Sequence, residues 1–113
     1  PMSAITTHIL DVSIGKPAAG VLVRLDRQTV DGDWETIGDQ KTDGDGRARD
    51  LLVEPLVTGA HRLTFDVGSY FTEKEIDGFY QEVMIAFNVK DASQHYHVPL
   101  LLSPFGYSTY RGS

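Results

Sequence analysis

Short runs of alternating apolar and polar residues, separated by glycine, aspartate and proline, fill this chain. A period of two marks half-buried β-strands, and many such runs at close spacing predict a sandwich or barrel. Residues 5–12 read as the first strand, with Gly15-Lys16-Pro17 as its turn. Residues 21–30 set Val21, Val23 and Leu25 against Leu22, Arg24 and Asp26. Asp31-Gly32 predicts a hairpin, since both residues tolerate positive φ, and residues 34–40 return antiparallel. Residues 42–50 read as a polar, Gly-rich loop, and residues 51–57 as a short strand broken by Pro55. Residues 61–67 place Leu63, Phe65 and Val67 on one face of a strand. The one helical candidate is 69–75, closed by Gly78, with Thr72 and Glu75 at capping-box spacing. Residues 80–89 put Val83, Ile85, Phe87 and Val89 on one face, and residues 90–94 form a loop. Residues 95–102 and 105–110 are the last two strands. The expectation is an all-β fold with one short helix, in a single domain over residues 1–113. Pro1 ahead of Met2 reads as a remnant of cloning, with translation starting at Met2.

Composition narrows the partners. Sixteen acidic residues against ten basic ones leave a net charge of −6, and the basic residues form no cluster. That balance argues against nucleic acid and against an anionic membrane. No apolar run approaches the ~18 residues of a membrane span. The chain has no cysteine, which removes disulfide and thiolate chemistry. No secretory pattern precedes the first strand, so the expected compartment is the cytoplasm, or the periplasm if a signal has been removed.

Strand parity points to the candidate chemistry. In the first strand Ile5 and Ile9 share one face, while Thr6, His8 and Leu10 share the other. Near the end Tyr96, Val98 and Leu100 oppose His95, His97 and Pro99. If the more apolar faces pack inward, three of the four histidines, His8, His95 and His97, point away from the core. Imidazoles titrating near neutrality can polarise water or relay a proton. Solvated or interface histidines remain the plainer alternative for each one alone. The loop Thr42-Asp43-Gly44-Asp45-Gly46-Arg47 fails as a calcium loop: with Gly46 at position six, Lys41 and Leu52 would be ligands. Its Asp-Gly pairs read as tight turns that present Arg47, a fork suited to a planar amide or an anion. His8, His95 and His97 could serve as zinc ligands, but no carboxylate or cysteine is placed to complete the set. No metal and no cofactor are expected. The chain closes on Tyr110-Arg111-Gly112-Ser113, an unusually dense set of polar groups for a tail.

Two stretches carry a family resemblance. His8-Ile-Leu-Asp11 with Gly15-Lys-Pro17-Ala18 and Val21-Leu-Val23 resembles the N-terminal signature of the transthyretin family. Tyr96-His97-Val98-Pro99 through Ser103-Pro104-Phe105-Gly106-Tyr107-Ser108 resembles its C-terminal signature. The family's hormone carriers have lysine at the place of His8, glutamate at Arg47 and threonine at His97, and lack the Tyr-Arg-Gly-Ser ending; this chain is similar to the hydrolase branch at all four places. The resemblance implies a transthyretin-like sandwich of two four-stranded sheets. It also implies a homotetramer, a dimer of dimers, with substrate sites in the channel between dimers. The implied activity is hydrolytic ring opening of 5-hydroxyisourate, in urate degradation, to 2-oxo-4-hydroxy-4-carboxy-5-ureidoimidazoline.

Joined to that resemblance, the residues suggest a metal-independent mechanism. The His8/His97 pair would activate water as general base, without the sequence saying which ring does so. Arg47 would hold the planar substrate and offset charge on the developing oxyanion. Tyr110, Arg111 and the hydroxyl or carboxylate of Ser113 would position the substrate or orient a histidine. Two alternatives stay open: a non-catalytic small-ligand carrier using the same channel, and a β-sandwich interaction module. Neither needs paired imidazoles together with this tail.

Overall fold

The computed structural model describes residues 3–113; Pro1 and Met2, and with them the expected translation start, lie outside the described residues. The elements run β1 (Ile5–Asp11), β2 (Lys16–Pro17), β3 (Leu22–Gln28), β4 (Trp34–Lys41), β5 (Arg47–Ala48), β6 (Gly59–Phe65), α1 (Val67–Glu73), β7 (Val83–Val89), β8 (Tyr96–Ser103) and β9 (Gly106–Thr109). One sheet has the order β4-β3-β6-β7 and the other β2-β1-β8-β9, with β5 also on β1. The two-residue strands β5 and β2 divide one edge of β1, pairing Thr7 and His8 in one case and Leu10 and Asp11 in the other. The second sheet thus keeps four strand positions, with one outer position split between two fragments.

Ile5, Ile9, Val23, Leu25, Leu63, Phe65, Leu100 and Leu102 are fully buried between the sheets. Full burial of such a side chain is worth about 1.5–3 kcal/mol. A one-residue slip of β1 would exchange Ile5 and Ile9 for Thr6 and His8, so this burial holds the register. Register is what positions the site, because β1 and β8 lie side by side and parallel, Thr6 opposite His97 and His8 opposite Pro99. His61 shares the inward face of β6 and is also fully buried. Its Nδ1 lies 3.0 Å from the Gly59 carbonyl, while its Nε2 has no partner among the described residues.

Several local expectations are corrected. Residues 51–57 form no strand: Pro55 has no N–H to give, and the segment instead buries Leu51 and Leu52 at the sandwich margin. The first turn spans residues 12–15, and Lys16 and Pro17 already pair with β1. In the β3–β4 hairpin Gly32 alone takes positive φ, and its N–H bonds to Thr29. The helix starts two residues earlier than expected, because Asp66 caps it by accepting from the Ser69 N–H. Thr72 and Glu75 form no capping box; Glu75 enters the left-handed region at φ 58, and Ile76 N–H reaches back to the Phe71 carbonyl. The helix therefore closes before Gly78. Asp26, on the polar side of β3 by alternation, is nonetheless buried, held by Thr36 and by Arg62, whose guanidinium stacks on Trp34.

Candidate active site

Thr6, His8, Arg47, His97 and Pro99 occupy one face of the β1-β8 sheet, the face turned away from the core. Thr6 and His97 are register partners, as are His8 and Arg47 across the antiparallel β1–β5 pair. Paired residues project to the same side. Parity therefore placed His8 and His97 correctly. The chain also brings Arg47 to them, through a loop built for that purpose. Asp43 Oδ1 accepts the N–H groups of Asp45 and Arg47 at 2.9 and 3.0 Å. Gly46 turns with φ 74, and a Cβ there would lie 2.6 Å from the Ile9 carbonyl oxygen. The Asp-Gly pairs make the tight turn expected of them, and the Ile9 N–H donating to the Gly46 carbonyl at 2.8 Å ties it to β1. The Asp43 carboxyl is held below the usual range, first by the Arg47 N–H and also by that of Asp45.

The tail reaches the same place. Gly112 forms an isolated antiparallel bridge with His97, its N–H donating to the His97 carbonyl at 2.8 Å. A Cβ on Gly112 would stand 2.6 Å from His97 Cδ2 and 3.3 Å from Pro99 Cγ, so only glycine fits against the ring. Ser113 lines a cavity of about 140 Å³ together with Thr6, Thr7, Arg47, Arg49, His95 and His97. Tyr110 and Arg111 do not line it. Alternation along the tail turns Arg111 to the opposite side from Gly112, where its guanidinium stacks 4.5 Å above Tyr96 and donates to Gln94 Oε1 and the His95 carbonyl. Tyr110 borders a separate depression with Arg111, Ile85 and Phe87. Within one chain these two residues, expected to position the substrate, stand apart from that cavity.

Electrostatics favour neutral imidazoles. His97 is held below its ordinary pKa by burial first, then by the charges of Arg47, His95 and His8. Burial and Arg47 likewise lower His8, against opposing pulls from the Asp45 backbone and the side chains of Asp43 and Asp45. Thr6 Oγ1 lies 2.8 Å from His97 Nδ1 and 2.8 Å from His95 Nε2. Neutral imidazoles beside a guanidinium, with polar groups opening outward, can activate water and steady an oxyanion. Among the described residues no group of three His, Cys, Asp or Glu side chains is arranged to hold a metal ion. Thr6, His95, Arg49 and Gly112 were not assigned roles from sequence; for Thr6, its parity with His8 was the available signal. A larger cavity of about 690 Å³ lies over the other sheet beside α1, lined by Leu22, Arg24 and Thr64 among others, and none of the expected site residues borders it.

Residues 5–112 match the HIUase/Transthyretin family model. A 5-hydroxyisourate hydrolase from Caulobacter vibrioides is 49% identical, aligned over 99% of this chain and 100% of its own length. One from Salmonella typhimurium is 46% identical over 96% of this chain and 80% of its own. Among solved structures, Klebsiella pneumoniae 5-hydroxyisourate hydrolase aligns at TM-score 0.85 and 38% identity, covering 96% of this chain and 98% of that one. Sea bream transthyretin in complex with thyroxine aligns at TM-score 0.92 and 31% identity, covering 97% and 95%.

Proposed function

Because the chain belongs to the HIUase/transthyretin family, we infer that it is the hydrolase of that family and opens the six-membered ring of 5-hydroxyisourate in urate degradation. The observation that carries this reading is His97, its pKa lowered by burial and by Arg47, hydrogen-bonded to Thr6 and packed under Gly112, on the same cavity as Arg47. The fold alone would serve a carrier equally well, but these site groups have no use in one. In our reading His97 or His8 takes a proton from water as the water oxygen attacks the ring carbonyl carbon. Arg47 steadies the oxyanion that forms. The same proton then passes to the ring nitrogen as its bond to that carbon breaks. Ser113 contributes its hydroxyl or carboxylate at the cavity wall, and Arg111 fastens the tail so that Gly112 and Ser113 arrive there.

A cavity of about 140 Å³ is small for the substrate, since ligand pockets usually span about 300–1,000 Å³. A second copy facing it would complete the enclosure. The sheets also end at β7 and β9, edges that have no outer partner among the described residues, with Met84 and Tyr107 exposed on them. Both features support a homotetramer, a dimer of dimers with the substrate site between dimers. A stable monomer of full activity in sedimentation would overturn that assembly. Among the described residues no helix is long and apolar enough to cross a membrane. A cytoplasmic location stays part of the proposal and is checked by cell fractionation. The activity itself is tested by adding the protein to freshly generated 5-hydroxyisourate and following its absorbance. Decay at the spontaneous rate would refute the reading.

A further inference from the structure

One hydroxyl joins two histidines of the site. Thr6 Oγ1 is 2.8 Å from both His97 Nδ1 and His95 Nε2. A threonine hydroxyl has a single hydrogen, so it donates to one ring and accepts from the other. The tautomers of the two rings are thereby coupled. In one arrangement His97 Nδ1–H donates to Thr6, and Thr6 donates to His95 Nε2. Nε2 of His97 then keeps a lone pair. In the reverse arrangement His95 Nε2–H donates to Thr6, Thr6 donates to His97 Nδ1, and Nε2 of His97 already carries hydrogen. Only the first leaves His97 able to accept a proton from water.

We propose that Thr6 and His95 are positioning residues that hold His97 in its Nδ1–H tautomer, leaving Nε2 as the proton acceptor. The inference rests on the reading of His97 as base. Thr6 is 4% exposed, which leaves water little access to replace either ring as its partner. The tail packs closely over the His97 ring at Gly112, where even an added Cβ would lie 2.6 Å from Cδ2. Other charged or titratable groups near the pair are His8 from β1 and Arg47 and Arg49 from the β5 segment, with Ser113 from the tail beside them; Arg111 reaches only the His95 backbone carbonyl from the other side. None competes for His97 Nδ1, whose partner among the described residues is Thr6. Arg47 lines the same cavity as His97, and because a guanidinium only donates hydrogen bonds, its charge is better met by a lone pair than by an N–H on the remaining nitrogen. During attack the water O–H bond breaks, oxygen bonds to the carbonyl carbon, and the proton goes to Nε2. When the ring C–N bond breaks, that proton goes to the leaving nitrogen. Thr6 and His95 neither gain nor lose a proton.

Long-range ¹H–¹⁵N spectra of the histidine rings report the tautomer, and steady-state rates report its use. The parent protein should show neutral His97 as Nδ1–H. Thr6→Val should shift it toward Nε2–H and lower kcat about 10- to 10²-fold, short of the ~10²–10⁴-fold expected from losing the base, with KM nearly unchanged. Thr6→Ser should restore both readouts, and His95→Gln, which still offers Thr6 an acceptor, should lose less than His95→Ala. An Nε2–H tautomer in the parent, or parent-like kcat in Thr6→Val, would overturn the proposal. A His97→Asn variant at the parent rate would instead overturn the base reading itself, whatever the spectra report.

Discussion

Replacing Gly112 with alanine should separate catalysis from stability in this protein. The added Cβ would sit 2.6 Å from His97 Cδ2 and 3.3 Å from Pro99 Cγ. Carbon atoms settle at about 3.5–4.0 Å, so the ring or the tail must yield by about 1 Å. If the ring moves, His97 leaves its Thr6 hydrogen bond and its aim. If the tail moves, the Gly112–His97 bridge opens and Ser113 leaves the cavity. A 1 Å misplacement of a reacting group can lower the rate by about 10²-fold. Turnover of 5-hydroxyisourate should fall by that order. Melting should move by only a few degrees, because Gly112 lies outside the buried core. Gly44 is the control: an added Cβ there meets nothing within 4 Å, so Gly44→Ala should leave rate and melting alike unchanged. Parent turnover in Gly112→Ala, with the fold intact, would show that the tail's contact with His97 does not matter to the reaction.

Other consequences are equally open to measurement. His8→Asn and His97→Asn should each lower turnover about 10²–10⁴-fold, and parent rates in both would end the histidine mechanism. Because burial and Arg47 lower both pKa values, neutral rings persist below the ordinary value of about 6.5; the acid limb of the pH–rate profile should have its midpoint below that. Deleting residues 110–113 should nearly abolish hydrolysis while melting shifts only slightly, the main loss being the Arg111–Tyr96 stack, worth roughly 0.5–1 kcal/mol at such exposed sites. His61 gives a stability signature: burial lowers its folded pKa below the unfolded value, so the folded state resists the proton. Its contribution is intact above about pH 6.5 and drains away as pH falls from there toward the folded pKa. Melting curves of His61→Leu should show a weaker acid dependence over that window, and an unchanged profile would refute it.

Much of the sandwich was legible because burial enforces the alternation of β1, β3, β6, β7 and β8. The same alternation sent His8 and His97 outward together. What stayed hidden has physical reasons. Lys16-Pro17 and Arg47-Ala48 are too short to show a period, and they are strands only because β1 offers an edge. Residues 51–57 carry enough apolar side chains to resemble a strand, yet tertiary burial, not pairing, uses Leu51 and Leu52. Thr6 looked like one polar residue among several, since its meaning depends on lying opposite His97. The tail's residue types drew attention to it, but not how it divides, Ser113 toward the histidines and Arg111 toward Tyr96.

The parallel pairing of β1 with β8 also bears on when activity can first appear. The Thr6–His97 hydrogen bond closes a sequence separation of 91 residues, nearly the whole chain. Contacts that distant are formed late and slowly, because the entropy of closing the loop comes before any reward from packing. A nascent chain carries Thr6 and His8 out of the ribosome long before His97, Gly112 and Ser113 exist to meet them. The site therefore stays incomplete until β8 and the tail beyond β9 have arrived. In refolding, recovery of hydrolysis should coincide with recovery of global structure, so the enzyme's own turnover serves as a clock for the completion of its fold.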